Sequence, residues 1–378
     1  MWIRRPHYYA SFQCLAGACP DTCCASWDIV IDEDHLAVYR SLPGPLGERI
    51  RGAITVDGEG DSCFSVAGGH CPLLTVERLC AIQLELGEAQ VCDVCRSHPR
   101  FTEEYGTLRE ESLAASCPAV AELLLRDPAP ARFLEEETAE PPAVCEDVDG
   151  PLLEALLPWR AAAIALIQDR TRPFGARLAG LLAFCQAAQT WLEWGELEEL
   201  EELAALDSAW SPPEPLRGEP AVRREVMAHV LALLGELEVL EPAWQAELAR
   251  AARRLYQERS AEDYQAACGR FRAARSGLDW EYEHLAVYLL YRWGLRADFD
   301  GDLYGKGALA VLSYLVVREL GLARWLEQGR LERRDQADLI HLWCKEQEHC
   351  AENLAALAQA AWTDPDLTPE RLAQAALE

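Results

Sequence analysis

Thiols are crowded near the start of this chain. Ten of the fifteen cysteines lie before residue 120, namely Cys14, Cys19, Cys23, Cys24, Cys63, Cys71, Cys80, Cys92, Cys95 and Cys117. Core packing rarely needs two adjacent thiols, whereas thiolates in sets of three or four bind zinc or iron–sulfur clusters. The spacing therefore predicts a metal- or cluster-binding module.

The cellular compartment decides between metal ligation and disulfide bonding. The first residues, 1–9, include basic side chains but no following apolar run, so we expect no secretory signal and a cytoplasmic location. A chain of 378 residues has no need of disulfides to stabilise a small core, and an odd number of cysteines does not pair completely. In a reducing compartment clustered thiols bind metal more often than they pair. Disulfides and inert buried thiols remain the alternatives.

The predicted metal ligands are Cys14, Cys19, Cys23, Cys24, Cys71, Cys80, Cys92 and Cys95. Adjacent Cys23 and Cys24 fit poorly on one metal ion, so we expect one of them to serve a second site with thiols from 71–95. Our first choice for one ligand set is Cys19, Cys23, Cys92 and Cys95. Cys63 and Cys117 are equally compatible with ligation and with packing, whereas Cys145, Cys185 and Cys268 are expected to be ordinary helix or linker residues. Spacing alone does not separate zinc from an iron–sulfur cluster.

Composition and charge limit the class of partner. The chain is 50% hydrophobic and 26% charged, which is typical of a soluble globular protein. Its net charge of −28 argues against nucleic acid, because phosphates would be repelled. The charge would steer a lysine-rich protein segment, although a solvated acidic surface is the simpler explanation. The apolar stretch 308–317 is too short to span a bilayer, so we expect no membrane insertion.

The elements that must position these thiols change in type along the chain. Residues 1–125 predict a small α+β cysteine-rich module, with short strands near 27–32 and 53–57 and brief helices at 32–41 and 76–86, capped by Asp32 and Thr75. The Pro- and acid-rich stretch 126–151 has the composition of a linker. Apolar residues at helical spacing then predict an all-helical domain over 152–378, with a break near 207–220. The predicted helices are 152–168, 175–203, 221–237, 242–258, 261–275, 280–292, 307–320 and 335–362. The fold class is thus mainly α.

Polar residues interrupt the apolar stripe of the last long helix. Glu346, His349 and Asn353 share its apolar face, because steps of three and four residues return to one side of a helix. A carboxylate facing a core is costly unless it is paired. One interpretation is a satisfied buried network, in which Glu346 meets Arg96 or Arg100. The other is a reactive group, in which Glu346 or Glu348 orients a lysine ammonium and His349 takes its proton.

Three groups of residues resemble motifs of the flagellin lysine-N-methylase family. The first runs over 9–32 and includes the four clustered cysteines followed by Trp27 and Asp32. The second runs over 71–100, from Cys71-Pro-Leu-Leu to Pro99-Arg100. The third is Glu346-x-Glu348-His349-x3-Asn353, where Cys350 stands at a position at which the family is expected to carry Ser. The three groups are in register, and between them the chain is similar to the family only in being helical.

The resemblance implies S-adenosylmethionine-dependent methylation of lysine ε-amines on a flagellin-like protein. It also implies a required iron–sulfur cluster, expected to be of the 4Fe–4S type with zinc as the alternative, and candidate catalytic residues Glu346, Glu348, His349 and Asn353. The chain has no strand–GxGxG–helix segment for the methyl donor, and Gly68-Gly69-His70 lacks that context. Two other functions fit the thiols: a zinc- or cluster-stabilised interaction module, and a redox-responsive regulator. The acceptor protein and the oligomeric state are not determined by the sequence.

Overall fold

The computed structural model describes residues 1–25, 28–58, 60–66, 69–205 and 217–377. It is 62% helix and 9% strand, with a small N-terminal α+β part. The prediction of a mainly helical chain with that N-terminal part is therefore confirmed. Trp27, Gly68 and most of the predicted break at 207–220 lie outside the described residues.

The N-terminal part contains the strands and five short helices. The strands are β1 Trp2–Pro6, β2 Ile29–Val30, β3 Ile54–Val56, β4 Ser62–Phe64, β5 Arg100–Tyr105, β6 Leu108–Leu113 and β7 Phe133–Glu137. The helices are α1 Glu33–Ser41, α2 Gly44–Ala53, α3 Ala81–Leu86, α4 Asp93–Ser97 and α5 Pro118–Leu124. Single 3-10 turns lie at Tyr9–Ser11, Ala16–Ala18 and Glu88–Gln90.

Longer helices make up the rest of the chain. They are α6 Gly150–Gln168, α7 Phe174–Trp194, α8 Leu197–Ala205, α9 Pro220–Leu234, α10 Pro242–Ala251, α11 Ala261–Ala274, α12 Asp279–Trp293, α13 Ala297–Asp300, α14 Leu303–Gln328, α15 Arg333–Glu348, α16 Ala351–Thr363 and α17 Pro369–Ala376. A π-helical turn, Ala252–Gln257, extends α10, and a 3-10 turn, Gly294–Arg296, follows α12.

Two hydrophobic cores organise these elements. The smaller lies among α1–α4 and the sheet β2-β4-β3, and includes Ile29, Tyr39 and Phe64. We call residues 14–98 around it the small module. The larger core joins α5–α17 to the sheet β5-β6-β1-β7, and we call these elements the helical body. Part of the N-terminal segment thus packs with the helices, since Leu108, Leu113 and Val120 belong to the larger core.

Local signals set the helices of the small module. Asp32 caps α1 as predicted, because its side chain accepts a hydrogen bond from the His35 N–H. The helix predicted over 76–86 begins only at Ala81. The Thr75 hydroxyl accepts from Leu79 N at 3.2 Å, and Leu74 forms a β-bridge with Cys80, so this segment makes a turn before α3.

The four-stranded sheet includes residues whose composition predicts a linker. Strand β1 pairs in parallel with β6, with Trp2 opposite Leu108, and antiparallel with β7, with Pro6 opposite Phe133. Strand β7 lies within the predicted linker 126–151. The pairing brings the start of the chain onto the helical body.

One helix of the body is shorter than the apolar pattern predicts. The helix predicted over 175–203 divides at Gly195, which has φ +74°, a conformation that glycine adopts without strain.

Helix α6 is long and apolar enough to cross a membrane by length and composition alone. However, it packs against α7, α8 and α12, and its Trp159 is buried in the larger core, as in a core helix.

Candidate functional site

A cleft of about 240 Å³ lies where the small module meets the helical body. Its walls carry Cys14, Cys19, Cys23, Cys24 and Cys80 from the module, His98 at the end of the module, and Ser116, Cys117, Lys345 and His349 from the body. We call it the thiol cleft. It brings the first and third motifs of the sequence to one place, although they are more than 300 residues apart.

An ion-pair network fixes the cysteine loop to helix α15. The Asp21 Oδ2 atom accepts hydrogen bonds from His341 Nε2 at 2.9 Å and from Lys345 Nζ at 2.6 Å. Lys345 also donates to Glu241 Oε2 at 2.9 Å. Burial alone would raise the pKa of Asp21, but the hydrogen bonds and charges of His341 and Lys345 lower it to about 2. Asp21 is therefore an anion that holds the loop 14–24 against the body.

Nine of the ten N-terminal thiols fall into two sets, and Cys63 belongs to neither. The core set packs in or against the smaller core and consists of Cys24, Cys71, Cys80, Cys92 and Cys95. The cleft set lines the thiol cleft and consists of Cys14, Cys19, Cys23 and Cys117. Cys24 and Cys80 also reach the cleft wall and so lie at the boundary between the sets. The four first-choice ligands are divided, because Cys92 and Cys95 lie in the core set and Cys19 and Cys23 in the cleft set.

Electrostatic coupling joins thiols within each set and also between the sets, since Cys23 hydrogen-bonds to Cys24 and its charge acts on Cys95. Burial, and then the charges of Cys19 and Cys14, raise the pKa of Cys117 to about 11, although two backbone N–H groups oppose the shift. Burial, and then the charges of Cys24, Cys80 and Cys92, raise the pKa of Cys71 to about 11 against one such N–H group. Thiols in this state hold their protons until a metal cation displaces them.

The spacing of the sulfurs bears on the kind of metal. A tetrahedral zinc site has Zn–S bonds of about 2.3 Å and therefore S–S separations of about 3.8 Å. Among the described residues, no three of these sulfurs lie within 4.8 Å of one another. The thiols are gathered, but more widely than one zinc ion requires. In a 4Fe–4S cluster each thiolate binds a different iron, so its sulfurs stand farther apart.

The other cysteines examined from sequence lie away from the cleft. Cys63 is buried in β4 with its sulfur 3.3 Å from the Thr55 hydroxyl. Cys145 contacts the backbone of the β5–β6 turn, and Cys185 packs against Gly307 of α14. Cys268 is buried in α11.

The helix predicted over 335–362 is two helices. Helix α15 ends at Glu348, His349 is its C-cap, and α16 begins after Cys350. The Cys350 sulfur accepts a hydrogen bond from Asn353 N at 3.4 Å, as the Ser hydroxyl does at an N-cap. This role explains how Cys replaces the expected Ser. The break also means that Glu346, His349 and Asn353 do not share one helix face.

Glu346 and Asn353 hold the segment that leads into α10. The Glu346 carboxylate accepts from Leu240 N at 3.0 Å and from Glu241 N at 2.7 Å. The Asn353 amide donates to the Glu238 and Glu346 carbonyl oxygens, at 3.0 Å each. The buried network expected for Glu346 is present, but its partners are backbone N–H groups of another element.

The arginines expected to pair with Glu346 lie elsewhere. Arg96 pairs with Asp93, and the Arg100 guanidinium lies over the Phe12 ring at 5.1 Å from its centroid. That part of the prediction is wrong, because sequence does not show which loop crosses a helix face.

His349 faces the thiol cleft. Its Nε2 atom lies 2.8 Å from Ser116 Oγ, and its ring centroid lies 6.3 Å from that of His98. Desolvation in the cleft, followed by the charges of Lys345 and Arg292, lowers the pKa of His349. Desolvation and the His349 charge likewise lower the pKa of His98 to about 4. Both imidazoles are therefore neutral near pH 7.

Glu348 lies behind His349 and faces the body. Both of its carboxylate oxygens accept from the Tyr288 hydroxyl, at 2.7 and 2.8 Å, and it accepts a hydrogen bond from the Ser116 backbone. Burial raises its pKa, and the Arg292 charge and these hydrogen bonds offset the shift only in part. Glu348 thus supports Ser116, which in turn contacts His349.

Comparison with known proteins identifies the family of the chain. A family model described as the FliB lysine N-methylase C-terminal domain matches residues 160–368, more than half of the chain. The chain belongs to the FliB lysine N-methylase family. The resemblance found in the sequence motifs is thereby confirmed.

Individual members of the FliB family match shorter stretches. Lysine-N-methylases of Salmonella typhimurium and Salmonella choleraesuis are each 30% identical over 142 residues, 36% of this chain and 35% of each relative. The chain therefore matches about a third of the length of these two relatives. The flagellar biosynthetic protein FliU of Salmonella muenchen is 30% identical over 132 residues, 33% of this chain and 78% of that relative. No solved structure matches the chain.

The FliB-family match covers one residue of the cleft wall, Lys345, that the sequence motifs do not include. Composition nevertheless offers a signal for it. The chain has two lysines, Lys306 and Lys345, against 33 arginines, and its single asparagine is Asn353. When a sequence uses a residue type only once or twice, that position favours this particular side chain: lysine over arginine, or asparagine over another amide. Both Lys345 and Asn353 make buried contacts at the α15–α16 break.

Proposed function

We propose that this FliB-family member methylates lysine ε-amines of a flagellin-like protein in the thiol cleft, with S-adenosylmethionine as methyl donor. The family match and the names of the relatives, lysine-N-methylase and flagellar biosynthetic protein, support the reaction and the acceptor. The observation that carries the site is the position of neutral His349 on the cleft wall beside Ser116 and the thiols.

His349 is the general base of the proposal. A lysine ammonium has no lone pair, so it must lose a proton before its nitrogen can attack a methyl group. By donating its Nε2–H to Ser116 Oγ, His349 keeps its Nδ1 lone pair free to accept that proton. The amine nitrogen then bonds to the methyl carbon, and the carbon–sulfur bond of the donor breaks with its electron pair left on sulfur.

The other predicted catalytic residues have positioning roles in this proposal. Glu348 holds Ser116 and thereby the orientation of the His349 ring. Glu346 and Asn353 hold the helix break from which His349 projects. None of these three side chains is required to touch the acceptor lysine.

The core set is the proposed holder of the required iron–sulfur cluster. It offers five thiols in one closed core, which is more than the four that such a cluster takes. When bound, the cluster would cross-link the loops of the small module and so complete one wall of the cleft. Such a cluster site fits a reducing, cytoplasmic location, where clustered thiols bind metal more often than they pair.

Methylation of purified flagellin tests the proposal. The anaerobically prepared protein, S-adenosylmethionine and flagellin are expected to give lysine residues heavier by one methyl unit, located by mass spectrometry. His349→Gln should lower the rate by about 10²- to 10⁴-fold, as expected for loss of a general base. His229→Gln, on helix α9 outside the cleft, is the matched control. No methylation by the wild type would reject the function, and equal rates for wild type and His349→Gln would reject the base.

A further inference from the structure

A second groove on the surface continues the thiol cleft. It has a volume of about 550 Å³ and lies between residues 11–15, helix α5 and the start of helix α15. Phe12, Leu15 and Ala119 line both this groove and the thiol cleft, so the two cavities share an edge. A protein segment that places one side chain in the thiol cleft can therefore extend its neighbouring residues into the groove.

Arginine side chains dominate the charge of this groove, which we call the arginine groove. Arg126 lies two residues after the end of α5, and Arg333 and Arg334 are the first residues of α15. All three arginines are exposed and line the groove together with Glu122 and Glu332. The groove thus has three positive and two negative side chains, whereas the whole chain has 35 lysines and arginines against 63 aspartates and glutamates.

The two glutamates do not neutralise these arginines. Glu332 caps α15, and its carboxylate lies 3.1 Å from Arg330, which is outside the groove. Glu122 approaches Arg334 only to 4.0 Å, and both side chains are exposed to water. An exposed pair at this separation contributes little, so the groove keeps a positive character.

We propose that the arginine groove binds acidic side chains that flank the acceptor lysine of the protein substrate. This binding mode rests on the proposed function, because it places that lysine in the thiol cleft. Arg126 and Arg333 supply the cations, since neither forms an ion pair within the described parts of the chain, although the Arg333 charge acts on buried Glu281. A guanidinium group binds a carboxylate through two parallel hydrogen bonds.

The edge between the two cavities suits the stem of a lysine side chain. Phe12 packs against the larger core with the Arg100 guanidinium over its ring, and Leu15 is 38% exposed. The methylene groups of a lysine pack on such apolar surface while its nitrogen stays in a polar environment. The acceptor lysine would therefore cross Phe12 and Leu15 into the thiol cleft and leave its acidic neighbours over the arginines.

The rest of the surface strengthens this selection. The net charge of −28 repels an acidic segment over most of the protein and attracts a purely basic one. The arginine groove reverses that preference next to the thiol cleft. A segment that carries both a lysine and acidic neighbours is thus favoured at the cleft over a segment that carries lysines alone.

Peptide binding to the purified full chain tests the arginine groove. Two fluorescent peptides of about 15 residues each have one central lysine, and they span roughly 50 Å when extended, which takes them beyond the shared edge. One peptide has aspartates on both sides of the lysine, and the other has asparagines at the same positions. Fluorescence anisotropy gives the Kd of each peptide for wild type and for Arg126→Gln/Arg333→Gln. The matched control is Arg40→Gln/Arg270→Gln, which removes two exposed arginines outside both cavities and changes the net charge equally.

Wild type should bind the aspartate peptide about three- to tenfold more tightly than the asparagine peptide, as expected for two exposed charge pairs. Arg126→Gln/Arg333→Gln should lose most of this preference, and the control variant should keep it. Raising the salt concentration from about 0.05 to 0.5 M should weaken the preference, because exposed charges are screened. Far-UV circular dichroism verifies that each variant is folded.

Three results would overturn the binding of acidic side chains in the arginine groove. They are no binding of the aspartate peptide, equal affinity of wild type for the two peptides, and an equal preference in the two double variants. The readout is equilibrium binding without a methyl donor, so it is independent of methylation. Loss of the peptide preference with flagellin still methylated would reject the groove alone, and a retained preference without methylation would reject the reaction alone.

Discussion

Replacing Glu346 with glutamine tests whether this residue stabilises the fold or takes part in the reaction. Its carboxylate is 0% exposed and accepts two backbone hydrogen bonds, from Leu240 N at 3.0 Å and Glu241 N at 2.7 Å. Glutamine has the same shape, but only one of its two terminal atoms accepts a hydrogen bond. One of the two backbone donors would therefore face an NH2 group and lose its partner.

The expected cost follows from these two bonds. A buried donor without a partner costs about 1–3 kcal/mol. The remaining bond becomes neutral and loses about half its strength, roughly 1 kcal/mol. We therefore expect Glu346→Gln to lower the free energy of unfolding by about 2–4 kcal/mol.

Urea unfolding followed by circular dichroism at 222 nm measures this loss. The experiment is done at pH 8, because burial raises the pKa of Glu346 and the carboxylate must be ionised in wild type. Glu154→Gln is the matched control, since Glu154 is exposed on α6 and should change stability by less than about 0.5 kcal/mol. Equal midpoints for Glu346→Gln and Glu154→Gln would refute the structural role. If Glu346→Gln kept wild-type stability and lost methylation, the carboxylate would belong to the reaction.

Three further predictions concern the same region. Cys350→Ser should raise the free energy of unfolding, measured in thermal melts, by about 0.5–1 kcal/mol, because a hydroxyl is a better acceptor for the Asn353 N–H hydrogen bond than a thiol. A decrease in the free energy of unfolding would contradict the N-cap role of Cys350. Desolvation, and then the charges of Lys345 and Arg292, lower the pKa of His349, so its imidazole should titrate with a midpoint below the ordinary histidine value of 6.5. An NMR titration midpoint at or above 6.5 would disprove this. Asp21→Asn should speed amide hydrogen exchange in residues 14–24 and leave the exchange rates of the helical body unchanged, because the loop loses its charged contact with Lys345. Identical exchange rates in the variant and wild type would show that other contacts hold the loop.

Local patterns were enough to predict several parts of the protein. The helical spacing of apolar residues predicts most of the body, and Asp32 marks the start of α1, because both signals act within one or two turns of chain. The crowding of thiols and the Glu346–Asn353 motif identify residues whose side chains could bind a metal or take part in a reaction. They also place the chain in its family, which the match over 160–368 confirms.

Tertiary contacts decided how those residues are used. The sequence marks eight N-terminal thiols as metal ligands but not their division, which depends on which thiols pack in the smaller core and which face the body. It predicts one helix over 335–362, because apolar spacing continues through the break, whereas the Asn353 contacts with Glu238 and Glu346 end α15.

The cleft itself depends on contacts between residues far apart in the chain. Asp21 meets Lys345 across 324 residues, and Ser116 meets His349 across 233. Composition and spacing describe neighbours along the chain and therefore determine the kinds of residue available for chemistry. Only the packing of the small module on the helical body determines which of them meet, because long-range contacts leave no periodic signal in a single sequence.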